Sequence, residues 1–528
     1  MKFRAFKILI LICVCLSVGE TFGQTGATNA TNAAAPASTV APRSHVERFS
    51  TPQTRAERAE SEFSTKIAAD ARDASAYNER SLARMQLGRY NDALEDLRRA
   101  VALAPANADY QANLGYVLWK LGRHAEAVNA ERAALKYDDK HFTAHYQLGR
   151  FLLLGGDARQ LTDAAQHLRR AIEIDPRRSE VRFDLLTAYR ALGDAPNAIA
   201  QLHLLQDARP ADPRVIYADA LLASDRGDMD AAVRNLREAL QTEPNLPGAR
   251  QDLGLAYVKL KRWTEAASVF AELSRAQADS VEAAYLHALS LFNAGRTAEA
   301  EQETRRALRL NAGAAAAHTL LGIILASRGG ADTEASDALA QAVALNPANF
   351  DAHFYLGRVQ YTLQDYAGAV ASLRAAVKLD PRHAASRFFL GTALEGAGDA
   401  AAAQREYEEL VRIDAASPVG LTGLGVLQMK QGKLEEAVST LRRAIALDAR
   451  NFEAHWALGR ALMLGERFPE AIESLQKAVA LIPDRSDAHY QLGLAFKRTG
   501  RAAEAAREFA LVERINAEFR SRTSSPKQ

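Results

Sequence analysis

The chain has 528 residues with 66 basic and 64 acidic side chains, 48% hydrophobic residues and only 16 prolines. That balance excludes an unfolded polyelectrolyte and gives no electrostatic reason for nucleic acid or an anionic membrane surface as partner. Text rich in Ala, Leu, Arg and Glu favours helix over strand, so an all-α protein is expected.

Residues 1–23 begin with a basic "MKFRAFK", continue with the apolar run "ILILICVCLSV" and end in small or polar residues before Gln24. This is the layout of a signal peptide, and the run is short for a bilayer span, so export to a periplasmic or secreted location is expected, with no stable membrane insertion once the segment is removed. A retained N-terminal anchor is the alternative. Both cysteines, Cys13 and Cys15, lie inside this segment, so the exported chain is expected to have no disulfide, thiol nucleophile or cysteine-ligated metal. Removal of 1–23 takes away Lys2, Arg4, Lys7 and Glu20 and leaves equal numbers of basic and acidic side chains.

Residues 24–54 are rich in Thr, Ala, Asn and Pro and have little to bury, which predicts a flexible linker. The weak glycosylation pattern at Asn29 falls here. From about residue 55 the text changes to paired amphipathic segments, each broken by a turn such as "GR", "GD" or "GK". Ala59 and Phe63 have the register of a second helix, so 55–73 is expected to be a capping helix or half repeat.

Thirteen units of period 34 follow, starting at 74, 108, 142, 179, 213, 247, 281, 315, 350, 384, 418, 452 and 486. A Leu-Gly pair recurs on the first helix, as in Leu148-Gly149, Leu356-Gly357 and Leu458-Gly459, and Ala-x3-aromatic or Ala-x3-Leu on the second, as in Ala266 with Phe270 and Ala403 with Tyr407. Small residues let two helix axes approach, and the bulky residue fills the space between them. Repeat 3 has three extra residues in its turn and repeat 8 has one. Repeats 1, 5 and 7 replace the pair with Arg80-Ser81, Asp219-Ala220 and His287-Ala288.

On these residues the chain resembles the tetratricopeptide repeat family. The resemblance implies an all-α, right-handed superhelical solenoid of about 13 helix-turn-helix repeats over 74–519. Residues 520–528 are expected to be a disordered tail, too short and polar to cover the last helix, which leaves the C-terminal repeat open to self-association.

Motifs of catalysis fail in turn: His-Glu-x2-His, Gly-x-Ser-x-Gly and the phosphate-binding loop do not occur. The chain is therefore read as a non-enzyme with no cofactor and no metal. Five of the twelve histidines, His145, His318, His353, His455 and His489, share the fourth position of their repeats, where the family usually has Trp. They fit a semi-buried imidazole bonded to nearby backbone. The alternative is a metal site between neighbouring repeats, His455 with His489 or His318 with His353, but two histidines do not complete a transition-metal shell.

Position 5 is turned by about 100° from position 4 on the same helix, toward the face that lines the groove in this family. It carries Tyr146, Phe183, Tyr217, Tyr285, Phe354, Phe388, Trp456 and Tyr490. Position 9, four residues on, carries Arg150, Arg358 and Arg460 in three of those repeats. An arginine beside an aromatic platform suits the recognition of a peptide carboxylate, so these eleven residues are the candidate peptide-binding set. The competing reading is that the aromatics pack on neighbouring helices and the arginines solvate the surface. The family's carboxylate clamp needs Lys at position 5, where this chain has Asn78 but no Lys, and an asparagine ladder at position 6 is met only by Asn113.

The resemblance implies a protein-binding scaffold of the cell envelope that holds an extended peptide or a partner helix. A self-assembling structural component of an envelope secretion or assembly complex is the alternative.

Overall fold

The computed structural model describes residues 51–155 and 157–524; the signal-like segment 1–23, most of the linker 24–54 and residues 525–528 lie outside the described residues. The described residues contain 27 α-helices and no strand, from Pro52–Ala69 to Ala502–Ser524. They fall into two compact units, one ending at Val269 and one starting at Phe270.

Within each unit the first helix of a repeat packs on its second, and the second packs on the first helix of the next repeat. First helices of successive repeats also meet, as Ala108–Lys120 meets Phe142–Gly155 in one unit and Phe452–Leu464 meets Ser486–Arg498 in the other. The first helices therefore line one face of each stack.

In most repeats the turn follows from the second residue after the first helix. Gly88 has φ 74°, and bonds from its N–H to the Met85 carbonyl and from the Arg89 N–H to the Arg84 carbonyl close the helix end. Lys261, Gln364 and Glu466 take the same left-handed conformation without glycine, at φ 57°, 63° and 57°. Asn107, Asn349 and Asn451 cap the first helices of their repeats by accepting an N–H three residues on.

The expected close packing is present. A Cβ built on Gly357 would lie 2.5 Å from Leu373 Cγ and 3.1 Å from the Ala369 carbonyl oxygen. The same approach recurs where Gly149 meets Leu168 and Gly459 meets Leu475. Tyr407 takes the leucine's place in repeat 10 and lies against both Gly391 and Gly423. Repeat 2 breaks the rule, because Glu131 occupies this slot over Gly115, is 0% exposed and has no hydrogen-bond partner on either carboxyl oxygen. Burial pushes its carboxyl well above the usual carboxylate range.

The helix Pro52–Ala69 is fastened to repeat 1 by charge. Glu60 pairs with Arg84 and Arg89 at 2.9 Å each, and Arg84 and Arg80 share Asp96 at 2.8 and 2.6 Å. At the other end the last helix runs to Ser524, past the end near Phe519 expected from the sequence.

Candidate functional site

The histidine slot resolves into a backbone cap. His145, His318, His353, His455 and His489 each place Nε2 against the carbonyl oxygen six residues earlier, at 3.1, 3.0, 3.0, 3.2 and 2.9 Å. Gln111, Arg250 and Arg387 use the same position to donate to the carbonyls of Pro105, Pro244 and Pro381. The slot therefore calls for a donor that reaches back over the preceding turn, which several residue types supply.

The other edge of the slot meets position 23, on the second helix. His145 Nδ1 lies 2.9 Å from His167 Nδ1, His489 Nδ1 lies 2.5 Å from Glu508, and Arg387 pairs with Glu406 at 2.9 Å. In the first pair at least one nitrogen must be unprotonated, and burial lowers both groups, His167 to about 4. With Nε2 occupied by backbone in each of the five histidines, the geometry supports mortar between helices.

The aromatic and arginine positions are placed as i, i+4 pairs. Arg150 lies over Tyr146 at 5.5 Å, Arg358 over Phe354 at 5.5 Å and Arg460 over Trp456 at 4.8 Å. Their surroundings separate them.

In the unit ending at Val269 the groove residues are engaged by their own neighbours. Tyr146 hydrogen-bonds to Asp184 of the next repeat, and Arg150 faces the same carboxylate at 3.5 Å. The Tyr217 hydroxyl donates to Asp252 at 2.5 Å. Burial raises both phenols above their ordinary range and raises both aspartates, as fits a carboxylate and a hydroxyl sharing a dry contact. Phe183 lies under Arg214 at 4.9 Å. Asp184 and Asp252 both stand at position 6, where an asparagine pattern does not reveal them. The signal was present as a tyrosine at position 5 followed by an acid at position 6 of a following repeat.

The unit starting at Phe270 differs. Tyr285 is half-buried, and burial brings its phenol up to about 12. Phe354 corrects the expectation of a groove position: it is 5% exposed and packs edge-on against Tyr355, His383 and Phe389. Arg358 is half-buried among Phe354, Tyr355 and Phe389, and burial lowers its guanidinium from the ordinary arginine range. Phe388 packs on Phe389 and Tyr407 at 5.7 and 6.0 Å. These aromatics act first as packing, as the competing reading held.

Repeats 12 and 13 keep an open platform. Tyr490 is 47% exposed with its ring 5.9 Å from Phe509, and Leu464, at the end of the repeat 12 first helix, is 59% exposed. Trp456 is half-buried against the cluster of Ile472, Leu475 and Leu492, and its indole N–H has no partner. Arg460 covers the indole and, among the described residues, enters no ion pair. The result is exposed apolar area at Leu464 and Tyr490 in these two repeats, with a guanidinium lying on the Trp456 ring.

Family models agree with the repeat register. One for the tetratricopeptide repeat matches 112–158, 285–335, 333–377, 357–418, 422–486 and 466–519. A second matches 157–224 and 223–290, and a model for the TPR repeat matches 82–122. DnaJ homolog subfamily C member 7 of Homo sapiens is 23% identical over 239 residues, which are 45% of this chain and 43% of that protein. The chain thus aligns with less than half the length of this curated relative. Among solved structures, the APC/C hetero-tetramer Cut9-Hcn1 is similar with a TM-score of 0.40 and 15% identity, covering 88% of this chain and 91% of that one. Yeast Tom70 is similar with a TM-score of 0.37 and 15% identity, covering 85% and 97%. With family models matching most of the residues from 82 to 519, the chain belongs to the tetratricopeptide repeat family.

Proposed function

We propose that the protein is a non-catalytic interaction scaffold, carried out of the cytoplasm by residues 1–23, which holds a partner protein's extended segment or helix against the first-helix face of repeats 12 and 13. The observation that carries this reading is the platform of Trp456, Leu464 and Tyr490 beside Arg460. A half-buried indole and an exposed phenol offer apolar area at low entropic cost, and a guanidinium without a carboxylate of its own favours a partner that brings one. Membership of a repeat family whose stacked helices make extended surfaces agrees with this reading. Among the described residues no helix is long and apolar enough to cross a membrane.

The test is crosslinking and mass spectrometry on native extracts with the full chain and with Trp456→Ala, Arg460→Ala and Tyr490→Ala combined. The triple variant should melt near the parent temperature and lose the partners crosslinked to repeats 12 and 13. Retention of every partner by a folded triple variant would sink the proposal. Partners captured instead through Tyr146, Tyr217 and Arg150 would move the site to the other unit.

A further inference from the structure

Repeat 4 departs from the capping rule in one residue. Arg182 occupies position 4, where eight repeats send a donor to the carbonyl six residues back, yet its guanidinium bonds Gln201 Oε1 at 3.3 Å. Repeat 10 holds the counterpart: Arg387 caps Pro381 at 2.9 Å and pairs with Glu406 at 2.9 Å. Gln201 and Glu406 stand at the same position 23, so repeat 4 keeps the cation and has a neutral amide in place of its carboxylate.

A cavity of about 350 Å³ opens at this point, lined by Arg169, Ile172, Arg182, Leu185, Tyr189 and Gln201. Arg169 comes from the second helix of repeat 3 and donates to the Tyr189 hydroxyl at 3.2 Å, which leaves that hydroxyl's own proton free to donate. Neither Arg169 nor Arg182 enters an ion pair among the described residues. Glu173 at the rim is held by Arg170 at 2.7 Å, and Asn197 by Asp194 at 2.7 Å. Leu185 and Tyr189 are almost fully buried and reach the cavity by their edges, so half-buried Ile172 carries most of its apolar wall. Arg182, Leu185 and Tyr189 share a helix face turned away from Phe183 and Thr187, so the cavity is separate from the first-helix groove.

We propose that this cavity binds a small ligand with a terminal carboxylate and a short apolar body. The carboxylate takes the place that Glu406 fills in repeat 10, between the guanidiniums of Arg182 and Arg169, with the Tyr189 hydroxyl as a further donor. The apolar body lies on Ile172 and Leu185, and the volume falls within the range of small-molecule sites, roughly 300–1,000 Å³.

Hexanoate and inorganic phosphate are the probes, titrated into the full chain by calorimetry, with circular dichroism melting of each variant. Hexanoate should bind saturably, and phosphate, which gains nothing from the apolar wall, about tenfold more weakly or worse. Arg182→Gln should weaken hexanoate by about tenfold or more, the range for a bond to a charged group. Gln201→Glu restores the repeat 10 arrangement, so it should abolish hexanoate binding while melting at or above the parent temperature. The proposal is overturned by the absence of saturable hexanoate binding at millimolar concentration, by phosphate binding equally well, or by unaltered hexanoate binding in Gln201→Glu. Should Arg182→Gln fail to fold, Gln201→Glu decides alone.

Discussion

Glu131→Leu is expected to stabilise the protein. Glu131 is 0% exposed, neither carboxyl oxygen has a partner, and its side chain occupies the slot that leucine fills in repeats 3, 8, 9, 11 and 12. Leaving a buried polar group without a partner costs about 1–3 kcal/mol in proteins, and a fully buried leucine contributes about 1.5–3 kcal/mol. Leucine fits without overpacking because Leu168 over Gly149 and Leu373 over Gly357 make the same approach that Glu131 makes over Gly115. The expected gain is therefore about 2.5–6 kcal/mol at most, felt in repeat 2 and its neighbours, since a repeat array responds locally.

The sign of the pH dependence follows from the raised carboxyl. The folded state keeps the proton above the ordinary glutamate value of 4.5, where the unfolded chain has released it, so the parent loses stability as pH rises from 4.5 through the folded pKa. Glu131→Leu lacks that slope, and its advantage should grow with pH over that window. Denaturant titration with hydrogen-exchange mass spectrometry on residues 108–141, at pH 4 and pH 7, measures both effects. A variant no more stable than the parent at pH 7, or one with the parent's pH slope, would refute the assignment of Glu131 as an unpartnered core carboxyl.

Two further outcomes are expected. Burial holds His145 and His167 below the ordinary histidine range, so their contribution is complete above pH 6.5 and lost as pH falls toward about 4, by about 1–2 kcal/mol after allowing for screening. His145→Gln, which supplies the cap that Gln111 makes in repeat 2, should reduce that slope in hydrogen exchange of repeat 3 and leave the share carried by burial of His167; an unchanged slope would show that His145 has no part in it. Gly357→Ala puts a Cβ 2.5 Å from Leu373 Cγ and 3.1 Å from a backbone carbonyl, and should lower stability by about 1–3 kcal/mol in denaturant titration; a neutral result would show that the helix pair separates freely.

The face assignments show how far a 34-residue pattern carries. It placed the Leu-Gly and Ala positions in the core, put the histidines on the side facing the second helix, and set each arginine over the aromatic four residues before it. It missed what those groups meet. Nothing local to Tyr217 indicates that its hydroxyl reaches Asp252, and nothing local to Phe354 indicates that Phe389 and His383 cover it. Position 5 is one stripe in the sequence, but its members range from Phe354 at 5% exposure to Tyr490 at 47%.

The sequence by itself determined the helix pairs, their register and the family, because helix periodicity, turn residues and the small-residue contacts inside a repeat are set by residues close together along the chain. Only the tertiary structure decided which aromatics stay open, which arginines have their charge answered and that repeat 4 has a cation facing Gln201 where repeat 10 has one facing Glu406. These depend on which side chain of another helix or the next repeat arrives opposite, and a hydrogen bond or an ion pair is made or lost over less than an ångström.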